Sequence, residues 1–503
     1  MHLAGPWPRV GTLACMYVRH LSIEHLKRFS KFEIDFTHHG KPRMWTVLIG
    51  ENGTAKTTLL QAIALAAAGS KHVNELAGPS VKHLRDRRDD VAEMTIDATF
   101  DFTPRSLTTE LPIHPAAPKK EKLSDLQLLS HVSLMPNSTA MDAWSQYKKP
   151  GASPFWRIED APPELNKRRD PLDIARDGYF PLWFVAGYGI SRVLPDASIT
   201  PSLARPALER LQPLFATAGI VGTAFANHFF QKDAEENRKP GQTSRIFAKL
   251  LNEAVKLGGP EFFPDLAKLE LRGQGGTTSS RTLIESDRFY QHINGSAKSP
   301  VAIAGVALSH GYQSTFAWIS DLIGHILLEA KSPVNTVEME GLVLLDEIDL
   351  YIHPTWQARF INALRRVFPK MQFVATTHSP VVLSELAPHE VVRLVVDPDS
   401  GNVVQGGWDP ETGALVPHAT PLEAQPDPRL MTGSDLYRTW FGLDRLTPNP
   451  VGEKLRRLKV LVADPIRTPA QSKEMAGLRV ELRKVLGPEA FADFLNTPDR
   501  EGK

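Results

Sequence analysis

Trp45–Ile49 is a short, mainly apolar run, the mark of a strand buried on both faces. It leads into a glycine-bearing loop at 50–57, and residues 58–68 then read as an amphipathic helix stopped by Gly69. Upstream, residues 17–36 alternate well enough for two strands. Val18, Leu21, Ile23 and Leu26 mark the first, Phe32, Ile34 and Phe36 the second, with a Lys-Arg-Phe-Ser turn between them. Met94, Ile96, Ala98, Phe100 and Phe102 alternate cleanly and predict another half-buried strand. Two more apolar strands are expected at Gly341–Leu345 and from Phe373 to Thr376, and a helix runs from the stretch at Leu308 through Leu328.

Elsewhere the pattern weakens. Residues 103–180 hold no period, and Pro104, Pro112, Pro115 and Pro118 break up their first part, so an insertion of loops and short helices is expected there. Residues 180–192, FPLWFVAGYGISR, read as a strand ending in Gly187-Tyr188-Gly189 and Arg192, a tight turn or part of a site. Residues 200–295 look mostly helical, with Leu203, Leu208, Leu211 and Leu214 in one stretch and 246–255 in another, and no heptad pattern is sustained. After polar loops to about residue 430 the tail returns to helices, with Met475, Leu478, Leu482 and Val485 on one face of a helix ended by Gly487.

Composition narrows the class. The chain has 503 residues, 42% hydrophobic and 23% charged, with a net charge of +1, so no global basic field draws in nucleic acid. Cys15 is the single cysteine, which excludes an intramolecular disulfide framework or a Cys-rich zinc site and suits a cytoplasmic location. No apolar run reaches the length of a membrane span, so no membrane partner is expected. Residues 1–15 lack the layout of a signal peptide and are expected to be a disordered extension, or to reflect a start codon placed too early.

The candidate chemistry sits where the strands end. Strand, loop and helix in that order form the context of a phosphate-binding loop, with backbone N–H groups and a helix N-terminus facing anionic oxygens. Gly50, Asn52, Gly53, Thr54, Ala55, Lys56, Thr57 and Thr58 are the candidate nucleotide ligands. Lys56 is placed to reach β/γ-phosphates and Thr57 to bind Mg²⁺. Ala55 stands where the motif's last glycine is expected, and is read as entering the helix without need of a positive φ. The strand at Gly341–Leu345 delivers Asp346, a candidate Mg²⁺ ligand, and Glu347, a candidate base for the water that attacks a γ-phosphate. The next strand ends in Thr376-Thr377-His378, where His378 is a candidate γ-phosphate contact. Ser309, His310 and Gly311 open a helix, either as an ordinary cap or as a second phosphate-facing N-terminus. His353-Pro354 reads as a helix-initiating turn.

Together GENGTAKTT, LSHGYQS, LVLLDE and TTHSP resemble the phosphate loop, signature, acidic strand and switch histidine of ATP-binding-cassette nucleotide-binding domains, in their DNA-repair and defence branch. Within RecF-like and overcoming-lysogenisation-defect-like ATPases, LSHGYQSTFAWISDL, LLDEIDLYIHPTWQ, FVATTHSP and VAGYGISR resemble the ATPase subunit of Septu-type anti-phage systems, found also with some retrons. The resemblance covers roughly 16–102, 180–195 and 300–395. It departs at Ala55, at His310, where an acidic residue is more usual, and at Tyr351, where His is. No Q-loop glutamine is assigned.

The resemblance implies an α/β fold: an ABC-type P-loop nucleotide-binding domain with mainly helical insertions and a helical C-terminal region. The expected division is an extension at 1–15, a first ATPase part at 16–102, an insertion at 103–179, a return to the core at 180–195, a helical insertion at 196–299, a second ATPase part at 300–395 and a partner-binding region at 396–503. It further implies ATP and Mg²⁺ as ligands and a head-to-tail homodimer or higher oligomer, in which Ser309, His310 and Gly311 of one subunit close over ATP held by Lys56 of the other. The expected partner is a separately encoded nuclease of HNH type. The alternatives are a RecF-like repair ATPase that binds DNA and a nucleotide-gated scaffold with negligible turnover.

A nuclease within this chain is not expected. Asp397-Pro398-Asp399 follows an apolar strand as a Toprim metal site would, but DPDSGN is an ideal hairpin turn and no Glu-Gly-x-x-Asp partner precedes it. Lys454, Arg456, Arg457, Lys459, Arg479, Arg483 and Lys484 make the tail locally basic, either to bind DNA or an acidic partner or as the outer face of packed helices.

Overall fold

The computed structural model describes residues 16–88, 92–101, 127–148, 170, 172–173, 184–192, 203–215, 220–236, 239, 241–271, 287–292, 299–329, 334–408, 415–416, 425–442, 450–464, 466–488 and 491. The expected extension at 1–15 lies outside these. The chain divides into one unit up to Leu436 and a second from Tyr437. Among the described residues no helix is long and apolar enough to cross a membrane.

The predicted alternation at the start forms β1 (Val18–Leu26) and β2 (Phe29–Asp35), which pair antiparallel. The apolar run forms β3 (Trp45–Ile49), buried at all five positions. Helix α1 (Lys56–Ala68) starts two residues earlier than its periodicity predicts, and it is not amphipathic, since eleven of its thirteen residues are buried. Packing against two sheets explains this, because a helix covered on both sides keeps no polar face.

One of those sheets is antiparallel. It contains β4 (Met94–Asp101), the predicted half-buried strand, with β5 (Gln127–Leu134) and β6 (Asp142–Lys148), in the order β2-β1-β4-β5-β6. The last two correct the expectation of loops and short helices for 103–179; the stretches of that insertion outside 127–148, 170 and 172–173 lie outside the described residues. Strand β5 escaped detection because it is buried on both faces and carries polar residues inside: Ser130 is 1% exposed and donates its hydroxyl to the Ala66 carbonyl of α1 at 2.6 Å.

After β7 (Val185–Tyr188) come the helices α2 (Phe225–Glu235) and α3 (Gln242–Gly258), the second wrapping the predicted stretch 246–255. Within the stretch expected to be mostly helical, β8 (Leu266–Glu270) and β9 (Arg288–Gln291) form a small antiparallel sheet with β10 (Val301–Ala304). Helix α4 (His310–Glu329) follows.

The chain then completes the second large sheet with β11 (Gly341–Leu345), α5 (Pro354–Val367), β12 (Met371–Thr376), β13 (Val391–Val396) and β14 (Val403–Gln405). Its order is β14-β13-β3-β12-β11-β7, parallel except for the β13–β14 hairpin. Every residue of β3, β11 and β12 is buried, as parallel strands covered on both faces require. Gln372, the one polar interior residue of β12 besides its terminal threonine, is fully satisfied. Its amide donates to the carbonyls of Val18 (3.0 Å) and Arg43 (2.9 Å), and its carbonyl accepts from the Val18 N–H at 2.7 Å. Asp397 closes the hairpin as expected, accepting from the Asp399 N–H at 3.2 Å and the Ser400 hydroxyl at 2.5 Å.

Helix α4 carries a buried ionisable pair one turn apart. His325 Nε2 lies 3.6 Å from Asp321 Oδ2, and both side chains are fully buried. Asp321 accepts from the backbone N–H groups of Val221 (2.6 Å) and Gly222 (3.3 Å) and from the Tyr188 hydroxyl (3.1 Å). Burial pushes the Asp321 carboxyl up to about 7 and pulls the His325 imidazole down to about 3. Between about pH 4 and 6.5 the folded protein therefore holds a proton on Asp321, whereas the unfolded chain holds it on the histidine. Each state binds one proton, so the pair adds no slope of stability with pH across that window.

Asp321→Asn removes the native proton site and leaves the depressed histidine alone. The stability that histidine contributes is complete above its unfolded pKa of about 6.5 and is lost as pH falls. Relative to the unaltered protein, the variant is expected to lose about 1.4 kcal/mol per pH unit, roughly 2–3 kcal/mol between pH 6.5 and 4.5. Denaturant unfolding at the two pH values measures this, and parallel behaviour of the two proteins would refute the shared proton.

The second unit contains α7 (Pro450–Ala463) and α8 (Pro469–Leu486), reached after α6 (Gly433–Phe441). Leu458, Leu482 and Phe491 are buried in its core, with Met475, Leu478 and Leu486 packed around them. Val485, expected on that face, is 56% exposed, and Leu486 takes its place. Arg457 pairs with Glu474 at 2.8 Å, and Lys454 with Glu481, so part of the basic face is neutralised within the hairpin.

Candidate functional site

Strands β3, β7, β11 and β12 all end at one edge of the parallel sheet, which brings the predicted site residues of three separate stretches together. The loop after β3 turns sharply at two glycines. At Gly50, with φ 155°, a Cβ would stand 2.5 Å from the Leu394 carbonyl, so the close approach of β13 requires glycine; Gly53 has φ 84°. Thr54 braces the turn by donating its hydroxyl to the Glu51 carbonyl at 2.8 Å.

Ala55 corrects the reading made from the sequence. It does not enter the helix but sits before it with φ 58° and ψ 27°, in the left-handed region. The loop needs that turn to bring its N–H groups round to the start of α1, and alanine bears the strain, about 1–2 kcal/mol, that a glycine would avoid. Its carbonyl accepts the first helical bond, from the Leu59 N–H at 3.1 Å.

The Lys56 ammonium folds back across the loop and donates to the carbonyls of Gly50 (2.8 Å) and Glu51 (2.9 Å). Burial lowers its pKa, and the charges of Asp346 and then Glu347 oppose the shift, so both carboxylates lie within electrostatic reach of this ammonium. Thr57 donates its hydroxyl to Asp346 Oδ2 at 2.8 Å, and Thr376 donates to Asp346 Oδ1 at 2.6 Å. Asp346 is thus shared by α1 and β12 at the end of β11.

Glu347 follows with φ 48°, a left-handed conformation rare for a residue with a side chain. Its N–H donates to Thr376 Oγ1 at 2.7 Å, and no described residue hydrogen-bonds its carboxylate. Asn52 and Gly53 are exposed on the loop, and Thr58 is buried.

His378 is exposed just beyond β12, two residues after Thr376, and the Thr377 N–H between them donates to the Leu48 carbonyl at 3.2 Å. Ser309 and His310 are exposed at the start of α4, and no hydrogen bond among the described residues joins them to the phosphate loop. Gly311 instead packs against the Tyr351 carbonyl, where a Cβ would collide. Tyr351 has φ 63° and is 59% exposed. His353 accepts from the Thr355 N–H at 3.3 Å and caps α5 at Pro354, which is the helix-initiating turn expected.

Two contributors were missed in the sequence. Lys27 of the β1–β2 turn donates to Thr58 Oγ1 at 3.2 Å, and burial lowers its pKa; in the sequence it was only a turn residue. Thr376 bridges Asp346 and Glu347, yet in Thr-Thr-His-Ser-Pro the histidine drew the reading.

The loop, the N-terminus of α1 and two lysines suit a polyphosphate. The Thr57 hydroxyl and Asp346 carboxylate, already in contact, form the all-oxygen donor set that Mg²⁺ prefers. Among the described residues no group of three or more His, Cys, Asp or Glu side chains forms a ready-made metal site. A cation here would be completed by water and phosphate oxygens.

Residues 45–384 match the model of the family described as AAA domain, putative AbiEii toxin, Type IV TA system. The Septu protein PtuA of Bacillus mycoides (strain KBAB4) is 24% identical over 474 residues, 93% of this chain and 50% of that protein. This chain therefore spans about half the length of that relative. The Retron Vc95 probable ATPase of Vibrio cholerae serotype O1 biovar El Tor is 22% identical over 409 residues, 76% of this chain and 74% of that one. Among solved structures, an SMC head bound to the C-winged helix domain of ScpA aligns with a TM-score of 0.44 at 13% identity, covering 77% of this chain and 97% of that one.

Proposed function

This chain belongs to the AAA-domain family that its residues 45–384 match, and from that membership we propose that it binds ATP with Mg²⁺, hydrolyses it, and regulates a separately encoded nuclease in defence against phage. The observation that carries the ATP chemistry is the contact between Thr57 and Asp346. It joins the phosphate loop to the acidic strand, two stretches 289 residues apart in the chain.

In this reading Lys56 exchanges its loop carbonyls for the β- and γ-phosphates, and the loop N–H groups hold the remaining oxygens. Thr57 and Asp346 would hold Mg²⁺, which when bound offsets the charge of the phosphates. Glu347 takes a proton from a water molecule as the water oxygen forms a bond to the γ-phosphorus. The bond from that phosphorus to the β–γ bridging oxygen breaks, and ADP leaves with the electron pair. His378 donates a hydrogen bond to a γ-phosphate oxygen.

Ser309 and His310 are exposed at the N-terminus of α4, with Gly311 buried beside them, and no hydrogen bond among the described residues joins them to their own phosphate loop. They are therefore assigned to the ATP of a second subunit, in a head-to-tail dimer. The division of the chain into ATPase parts, insertions and a C-terminal partner-binding region from 396 belongs to the same proposal. The defence role rests on likeness to proteins named for Septu and retron systems, and the HNH type of the partner on the resemblance of the motifs. The ion pairs of the tail favour the outer face of packed helices over a DNA-binding stripe.

Phosphate release by the purified chain tests the ATP chemistry. DNA cleavage by the chain alone and together with its nuclease partner, with ATP present and then depleted, tests the rest. Cleavage by the pair only, changing with ATP, is expected. Cleavage by this chain alone would overturn the assignment, and salt-sensitive DNA binding without cleavage would favour a repair ATPase instead.

A further inference from the structure

A cation lies behind the acidic strand for which the chemistry above has no use. Arg192, four residues beyond β7, is 2% exposed. Its two terminal nitrogens donate to consecutive backbone carbonyls, Nη1 to Asp346 at 2.5 Å and Nη2 to Glu347 at 2.6 Å, and its Nε has no partner among the described residues. Its charge survives burial, with a pKa lowered to about 10 mainly by desolvation. A buried guanidinium is costly unless its geometry is well met. Among the described residues it faces no carboxylate in a direct ion pair, and it is spent on two main-chain oxygens.

The reason lies in the backbone it holds. Successive carbonyls of an extended strand point to opposite sides, so a planar fork receives two in a row only where the chain turns. The turn is at Glu347, with φ 48°. A residue with a side chain keeps that conformation only when its surroundings over-determine it. From the β12 side, Thr376 accepts the Glu347 N–H through its hydroxyl and the Ile348 N–H (2.9 Å) through its carbonyl. From the β7 side, Arg192 holds the two carbonyls, and the Tyr188 carbonyl accepts the Asp346 N–H at 2.8 Å.

We propose that Arg192 is a positioning residue for hydrolysis: its fork on the carbonyls of Asp346 and Glu347 holds the left-handed turn that presents the Glu347 carboxylate to the phosphate site. The inference rests on the hydrolysis reading above. It separates two functions of the acidic strand. Asp346 is also fixed by Thr57 and Thr376 through its side chain, whereas among the described residues Glu347 is hydrogen-bonded through its backbone alone. Loss of the fork should therefore disturb the base and spare nucleotide binding.

Arg192→Lys keeps the charge but cannot bridge two carbonyls in one plane. Its kcat is expected to fall about 10- to 100-fold while the affinity for ATP stays within about threefold, since a displacement of about 1 Å at a reacting group costs this much. Arg192→Ala opens a space for free guanidinium, and millimolar guanidinium is expected to recover part of its kcat without changing ATP affinity. Thermal melting shows whether the alanine variant is folded; if it is not, the lysine variant decides. Unchanged kcat in Arg192→Lys, or a loss of ATP affinity as large as the loss of kcat, would overturn the positioning role. An unaltered chain that binds ATP and does not turn it over would show that the hydrolysis reading itself has failed.

Discussion

Glu347→Gln is expected to bind ATP as tightly as the unaltered protein and to hydrolyse it about 10²- to 10⁴-fold more slowly, the range a positioned general base supplies. The substitution changes little else. The side chain is half-buried and accepts no hydrogen bond from the described residues, so no partner is stranded by loss of the charge. The backbone contacts that define the turn, from Thr376 on one side and Arg192 on the other, are independent of the side chain. An ATP-bound dimer should then accumulate, because the step that separates the heads is blocked. Phosphate release and sedimentation in the presence of ATP measure the two effects together. Turnover at the unaltered rate would remove Glu347 from the mechanism, and negligible turnover by both proteins would favour a nucleotide-gated scaffold.

The second large effect is recovered activity on mixing two inactive proteins. Lys56→Ala removes the ammonium over the phosphate loop. Gly311→Ala places a methyl against the Tyr351 carbonyl and shifts the start of α4. Each alone is expected to lose on the order of 100-fold in turnover, as removal of a single electrostatic contact to a reacting group does.

In a head-to-tail dimer each site takes Lys56 from one subunit and Gly311 from the other. A mixed dimer therefore concentrates both defects in one site and leaves its second site intact. Random exchange makes half the dimers mixed, so turnover should return to about a quarter of normal. An equimolar mixture followed by phosphate release reads this directly. No recovery after subunit exchange would mean that the signature residues do not act across a dimer.

The legible parts of the chain share one property. Strands β3, β11 and β12 are covered on both faces, so each appears as a mainly apolar run, broken only by Thr46 in β3 and by Gln372 and the terminal Thr376 in β12, whose chemistry begins where the run stops. That is why Asp346, Glu347 and His378 stand out just past strand ends, and Lys56 and Thr57 at the helix start that follows the loop after β3. The hairpin at Asp397 was legible for a different reason, since turn-forming residues act through local bonds.

The misread parts depended on neighbours distant in sequence. Strand β5 is buried by α1 and carries an internal serine bonded to it, which erases the alternation that would mark a strand. Helix α1 read as one-sided because nothing local announces that a sheet lies on each side.

The amino-acid sequence by itself determined the local units: which strands are buried, where the phosphate loop lies, and which polar residues stand at the strand ends. Periodicity, glycine placement and charge act over a few residues, and they are written in order. The tertiary structure decided the rest. It set the left-handed turns at Ala55 and Glu347, the meeting of Thr57 with Asp346, and the approach of Lys27 to Thr58. It also turned a buried arginine from the end of a glycine-rich strand onto two carbonyls of the acidic strand. Those features arise where strands far apart in the chain become neighbours in one sheet, and the energy that holds a strained turn comes from both neighbours at once.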